Sequence, residues 1–270
     1  MGKELKVIAY VKGLGEVVET AADFYSELKE LKLGGARLIS PRDEAYARLQ
    51  TIGKDNIGED DGTRTRAGFD YAKEQLPILR LNSRLLNPAL AKKAVKSNRA
   101  NAYFHTETTE EYEQSLKQAE KDMSKEPSKR SAVVLPSRDN FTMSDKENWE
   151  VLEAVLKDQA EPYFKFNGPI TVYPVDKKVV DAQDGTIETV LWFRNLRNWS
   201  DFSGISWDLG NAYRARGVRE SAEGTAKISK QSINSYTSKQ AQKYLKILDG
   251  VRKGNLPASR LEEIVKYFNR

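Results

Sequence analysis

The stretch TVYPVDKKVVDAQDGTIETVLWFRNL, Thr171 to Leu196, decides how the rest of the chain is read. Two apolar, β-branched runs, one at each end, are joined by a segment that contains DAQDGT, Asp181 to Thr186. Asp184-Gly185 is a turn dipeptide, and nothing in DAQDGT has the period of a helix. A partial or complete β/α barrel needs a crossover helix between successive strands. The stretch therefore predicts an antiparallel β ribbon, and it favours an open sheet over the barrel alternative.

Upstream, short apolar runs alternate with helical patterns. Lys6–Val11, Ala36–Ser40, Ile78–Asn82, Asn101–Glu107 and the run SAVVLPS read as strands, with Pro169–Val175 a sixth. Between them lie helix starts with recognisable chemistry: Ser40 before Pro41, Asn87 before Pro88, and the capping boxes Thr108 to Glu111 and Ser144 to Glu147. The segment from Thr51 to Gly68 is rich in charge and glycine and reads as a loop, followed by a short helix over AGFDYAKEQ. Connections too long for hairpins make parallel pairing the economical solution. The predicted fold is α/β: a mostly parallel, doubly wound (Rossmann-like) sheet, then the antiparallel ribbon and a C-terminal helix pair. The corresponding domains are residues 1–168 for the βα repeats, 169–220 for the ribbon, 221–236 for a polar linker, and 237–270 for a helical hairpin.

The chain has 270 residues, 31% of them charged, and no cysteine. The lack of thiols removes disulfides, thiolate metal sites and a cysteine nucleophile. No apolar run is long enough for a signal peptide or a membrane span, so the expectation is a cytoplasmic protein without a membrane partner. The net charge of +5 is unevenly spread. Leu191 to Arg270 holds 15 Lys/Arg against 7 Asp/Glu, whereas the rest holds 29 against 32. Such asymmetry points to an anionic partner.

In a doubly wound sheet, ligands sit beyond the carboxyl ends of the strands. Three loops there carry an arginine: Arg42, Arg84 and Arg138 are the candidate anion- or phosphate-binding residues. His105, the one histidine, and Asp139 are the candidates for moving a proton. Gly13-Leu14-Gly15 lacks the third glycine of a dinucleotide fingerprint and reads as turn glycines. Asp176 and Glu188 lack the lysine that would complete a nuclease-type acid set, so no metal and no cofactor is expected.

In the basic third, Arg194, Arg197, Arg214, Arg216 and Arg219 lie among aromatic residues, as backbone neutralisation and base stacking would require. The leading functional expectation is binding of a phosphate-bearing partner, above all nucleic acid, through this basic third. The alternatives are an enzyme for a small anionic or phosphorylated substrate at the sheet's carboxyl edge, and a structural or assembly protein. A small anionic ligand and a homo-oligomer are the other partners expected.

Overall fold

The computed structural model describes residues 5–52, 57, 62–97, 107–143, 148–194, 201–204 and 209–219. All of them belong to one unit, Met1–Ser221. The expected linker and helical hairpin, the capping box at Ser144, and most of the strand expected at Asn101–Glu107 lie outside the described residues.

The chain starts as a hairpin. β1 (Lys6–Val11) turns back at Gly13 and Gly15, with φ of 80° and 106°, into β2 (Gly15–Ala22), its antiparallel partner. These positive φ values are what a side chain resists and glycine permits. α1 (Phe24–Leu33) follows, capped by Asp23, whose carboxylate accepts the Ser26 N–H at 3.0 Å. After β3 (Arg37–Leu38), Ser40 caps α2 (Pro41–Gln50), with proline in its first turn.

β4 (Thr63–Ala72) then enters the middle of the sheet, and β5 (Ile78–Arg80) folds back on it. α3 (Pro88–Ser97), α4 (Thr109–Met123), β6 (Ala132–Val134), β7 (Phe141–Thr142), α5 (Trp149–Leu156) and α6 (Ala160–Asn167) come next. The last described elements are β8 (Thr171–Tyr173), the short α7 (Lys177–Asp181), β9 (Thr186–Phe193), β10 (Asp201–Ser203) and β11 (Tyr213–Arg219).

The strands form one mixed sheet in the order β1-β2-β11-β4-β9-β10-β8-β7. β3 sits beside β11, and β5 links β4 to β6. Only β10–β8 and β11–β4 pair in parallel; the other described pairings are antiparallel. The mostly parallel, Rossmann-like expectation is therefore corrected, and with it the barrel, because β1 and β7 end the strand order and do not pair with each other among the described residues. Hydrophobic runs locate strands but say nothing of their direction. Here β2, which is not among the expected strands, turns the first crossover into a hairpin.

The ribbon expectation is corrected too. Asp184-Gly185 does form the turn before β9, with Gly185 at φ 95°. β8 and β9 are nevertheless not partners, since β10 lies between them.

β9 is buried along its whole length and sorts its side chains by face. Ile187, Leu191 and Phe193 join the large core with Val151, Leu152 and Tyr163 of α5 and α6. Val190 points to the opposite face, into a second core with Phe24 and Leu31 of α1 and Ala91 and Ala94 of α3. Helices thus cover both faces of the central strands.

β4, beside β9, is buried except at Arg66, yet its sequence TRTRAGFDYA is full of polar groups. Arg64 and Asp70 lie inside because tertiary neighbours neutralise them. Arg64 pairs with Glu27 of α1 at 2.7 Å, and Asp70 pairs with Arg80 and with Arg84, the latter at 3.0 Å. For that reason the expectation of a loop and a short helix here fails.

Candidate functional site

The polar interior continues into a cleft on the β5–β6 side of the sheet. Its floor is a cluster of two guanidinium groups and three carboxylates. Arg84, in a 3-10 turn just after β5, meets Asp70, Glu107 and, at 3.5 Å, Glu188 of β9; Arg80 meets Asp70. Glu188 is further held by the Ser83 hydroxyl at 2.8 Å and the Leu85 N–H at 3.3 Å. Burial pushes the Asp70 carboxyl up to about 7 and the charge of Glu188 adds to this, against Arg80 and Arg84. One oxygen each of Asp70, Glu107 and Glu188 is buried without a hydrogen-bond donor among the described residues.

The wall opposite is α4. Its start is fixed by a complete capping box: Thr108 Oγ1 accepts the Glu111 N–H at 3.2 Å, and the Glu111 carboxylate accepts the Thr108 N–H at 2.8 Å. Glu111, Gln114, Ser115, Gln118 and Asp122 then follow at helical spacing along one side. Tyr112, on the side facing the sheet, donates its hydroxyl to the carbonyls of Leu76 (2.8 Å) and Asp70 (3.2 Å), which seats the helix. At its far end Asp122 accepts the backbone N–H groups of Ser131 (2.6 Å) and Ala132 (3.1 Å) at β6. Burial opposes the charge of Asp122, but bonds from Lys125, Ser131 and Ala132 outweigh it and hold the carboxyl well below its usual range. Between wall and floor lies about 440 Å³.

The residues singled out from sequence are distributed differently. Arg84 is in this floor. Arg42 lines a separate cleft at the start of α2 and is bound by Asp158, at 2.8 and 2.7 Å, and by Asp43. Arg138 pairs with Asp181. Each of the three arginines thus has its own carboxylate, and they have none in common. Asp139 is exposed and pairs with Lys177 at 2.7 Å. His105 and Arg197 lie outside the described residues. Asp176 caps α7 while Glu188 is held in the sheet, so the two do not form one site. Among the described residues no group of three or more His, Asp or Glu is placed to hold a metal ion. No helix among them is long and apolar enough to cross a membrane.

Arg214, Arg216 and Arg219 all lie on β11, each with a carboxylate partner. Arg216 is fully buried against Glu44, Arg214 meets Glu19 at 3.2 Å, and Arg219 meets Glu16. Arg194 lies 3.8 Å from Asp201. The cleft residues Arg80, Gln114 and Gln118 went unread in the sequence. The i, i+3, i+4, i+7 polar spacing on α4 is the signal that could have shown the last two.

No protein-family profile matches the chain, and no curated protein matches it. A solved structure described as "Accommodation of massive sequence variation in Nanoarchaeota by the C-type lectin fold" is similar over 75% of this chain and 97% of that one. The TM-score is 0.52, at 16% sequence identity. The fold is similar to the C-type lectin fold. This likeness concerns the fold and overturns the Rossmann-like expectation; it does not fit the nucleic-acid expectation and supports neither the small-anion enzyme nor the assembly protein. Within β11 itself, Arg214, Arg216 and Arg219 face their own carboxylates, so these three are not free to neutralise a phosphate backbone.

Proposed function

We propose that the protein is a binding protein that recognises a hydroxyl-rich ligand, a carbohydrate, in the cleft between α4 and β5–β6. The observation that carries this reading is the make-up of the lining. Guanidinium groups (Arg80, Arg84), carboxylates (Glu107, Glu111), side-chain amides (Gln114, Gln118) and hydroxyls (Ser115, Ser131) alternate around one concavity. A sugar hydroxyl both donates and accepts, and planar groups of both kinds at close range can bond to neighbouring hydroxyls. No aromatic ring is among these lining residues, so recognition rests on hydrogen bonds. A polyanion would meet the carboxylates.

The similar structure from Nanoarchaeota is described as accommodating massive sequence variation in its fold. For this chain we infer a related division of labour: buried arginine–carboxylate pairs hold the frame, and exposed positions such as Gln114 and Gln118 carry specificity. A chain without cysteine has no disulfide to lose in a reducing compartment, and a cytoplasmic location belongs to the same proposal.

The test is retention of the full chain on an array of neutral glycans, followed by titration of any that are retained. Gln114→Ala and Gln118→Ala remove donors and acceptors from an exposed helix face, and each should weaken binding by roughly 5- to 10-fold. An array on which no glycan is retained, or binding indifferent to both substitutions, refutes the reading.

A further inference from the structure

The cleft at the start of α2 has a chemistry of its own. β4 and β9 are in register at Arg64↔Trp192 and again at Gly68↔Val190, so β4 carries two extra residues between these points. Such a bulge breaks the ladder and re-aims a side chain. The backbone of Arg66 finds other partners here: its N–H donates to the Ile39 carbonyl at 2.9 Å, and its carbonyl accepts the Ser83 N–H at 2.8 Å. Its side chain lines a cleft of about 380 Å³ together with Arg37, Arg42, Asp43, Asn82 and Lys157.

The charges in this cleft do not balance. Asp43 pairs with Arg37 at 2.9 Å, and Asp158 holds Arg42. The Arg66 side chain has no ion-pair or hydrogen-bond partner among the described residues, and its Nε is shut off from solvent. Burial, with the Arg37 charge nearby, makes its cation costly and lowers its proton affinity, against the attraction of Asp43. Lys157 is exposed at the rim and also has no carboxylate partner among the described residues. It stands at φ 54°, ψ −127°, a backbone conformation that a lysine seldom adopts.

We propose that this cleft binds a small carboxylate-bearing molecule, with the carboxylate on the guanidinium fork of Arg66 and Lys157 as the second positive charge. A planar guanidinium and a carboxylate match in a two-bond geometry, and the ligand gives the buried Nε–H the acceptor that the protein does not. Only two cations lack a carboxylate within ion-pair distance among the described residues, and Asp43 stands in the lining, so the site suits a compact anion over a highly charged one. It has no lining residue in common with the α4 cleft and does not depend on what binds there.

The test is titration of the full chain with succinate as probe, followed by the NMR signal of the Arg66 Nε–H and by calorimetry. Chloride and inorganic phosphate serve as comparison arms at equal ionic strength. Succinate is expected to saturate one site and shift that signal. Arg66→Gln should weaken it by roughly 10- to 100-fold, the contribution of a charge-assisted pair. Arg66→Lys should also weaken it, because it keeps the charge but loses the fork, and Lys157→Gln should weaken it by a few-fold. Circular dichroism confirms that the variants are folded. Absence of saturable succinate binding, binding unaffected by Arg66→Gln, or phosphate bound more tightly than succinate each overturns the proposal. Glycan retention by Arg66→Gln should match the wild type, so a failure of either site is read separately.

Discussion

Substituting Glu44 by glutamine tests whether buried ion pairs hold this fold together. Glu44, Arg48 and Arg216 are all inaccessible to solvent. The Glu44 carboxylate accepts the Arg48 Nε–H at 2.7 Å and also binds Arg216. Arg48 donates onward to the carbonyls of Phe193 (2.9 Å) and Arg194 (2.5 Å) and to the Tyr163 hydroxyl (3.2 Å). It also lies over the Phe193 ring at 4.1 Å. Glutamine keeps the volume and one acceptor but removes the charge on which two buried cations depend.

Breaking a buried pair costs ~3–5 kcal/mol, and two cations on one carboxylate place this case near the upper end. That is a large share of the ~5–15 kcal/mol typical of a whole domain. With a urea m-value of ~2 kcal/mol/M, the unfolding midpoint should fall by about 2 M. The assay is urea unfolding followed by circular dichroism and tryptophan fluorescence. Asp158→Asn is the control: the Asp158 side chain is 60% exposed, so its pair with Arg42 should contribute only ~0–1 kcal/mol. The acid limb gives a second readout. Burial alone would raise the Glu44 carboxyl, but Arg216 and Arg48 hold it below its ordinary value of 4.5. A depressed carboxyl contributes stability above its unfolded value and loses it as pH falls through the folded one, and Glu44→Gln should remove that acid-side loss. If Glu44→Gln unfolds within ~1 kcal/mol of wild type at an unchanged m-value, the buried triad is not what stabilises the fold.

Asp70 has the opposite sign: its folded carboxyl lies near 7, above the ordinary 3.8, so the native state keeps a proton that the unfolded chain releases. Stability should therefore decline as pH rises from about 4 to about 7, and Asp70→Asn should flatten that span in melting temperatures measured across pH. Lys157→Gly relieves the positive-φ backbone and should raise stability by ~1 kcal/mol, about 2–4 °C in a thermal melt, while weakening succinate binding. A melt that does not rise would show that position 157 carries no strain. Phe193 stacks edge-on with Phe202 at 4.6 Å and Tyr163 at 5.6 Å, and Phe193→Ala should cost ~3–5 kcal/mol in the same urea assay. A loss below ~1 kcal/mol would mean that the core closes over the gap.

Local events were legible from the order of residues alone. Ser40 and Thr108 mark helix starts because their side chains satisfy N–H groups a few residues away, and such chemistry is written in neighbouring residues. Asn87-Pro88 before α3 and the turn at Asp184-Gly185 were legible for the same reason. The apolar run of β9 announced a strand. Where that strand went depended on long-range contacts, since a pattern of period two is the same for parallel and antiparallel neighbours.

The candidate site divides along the same line. Arg84 was picked out by its place after a strand, but its partners Asp70, Glu107 and Glu188 come from elsewhere in the chain. The Arg66 cleft owes its shape to a bulge that no local pattern shows. Charge misled most in β4 and β11. Arg64 is inside because Glu27 meets it, and Arg216 because Glu44 does, from 172 residues away. An arginine's sequence neighbourhood suggests solvent or a phosphate; a carboxylate brought to it by the fold makes it part of the interior.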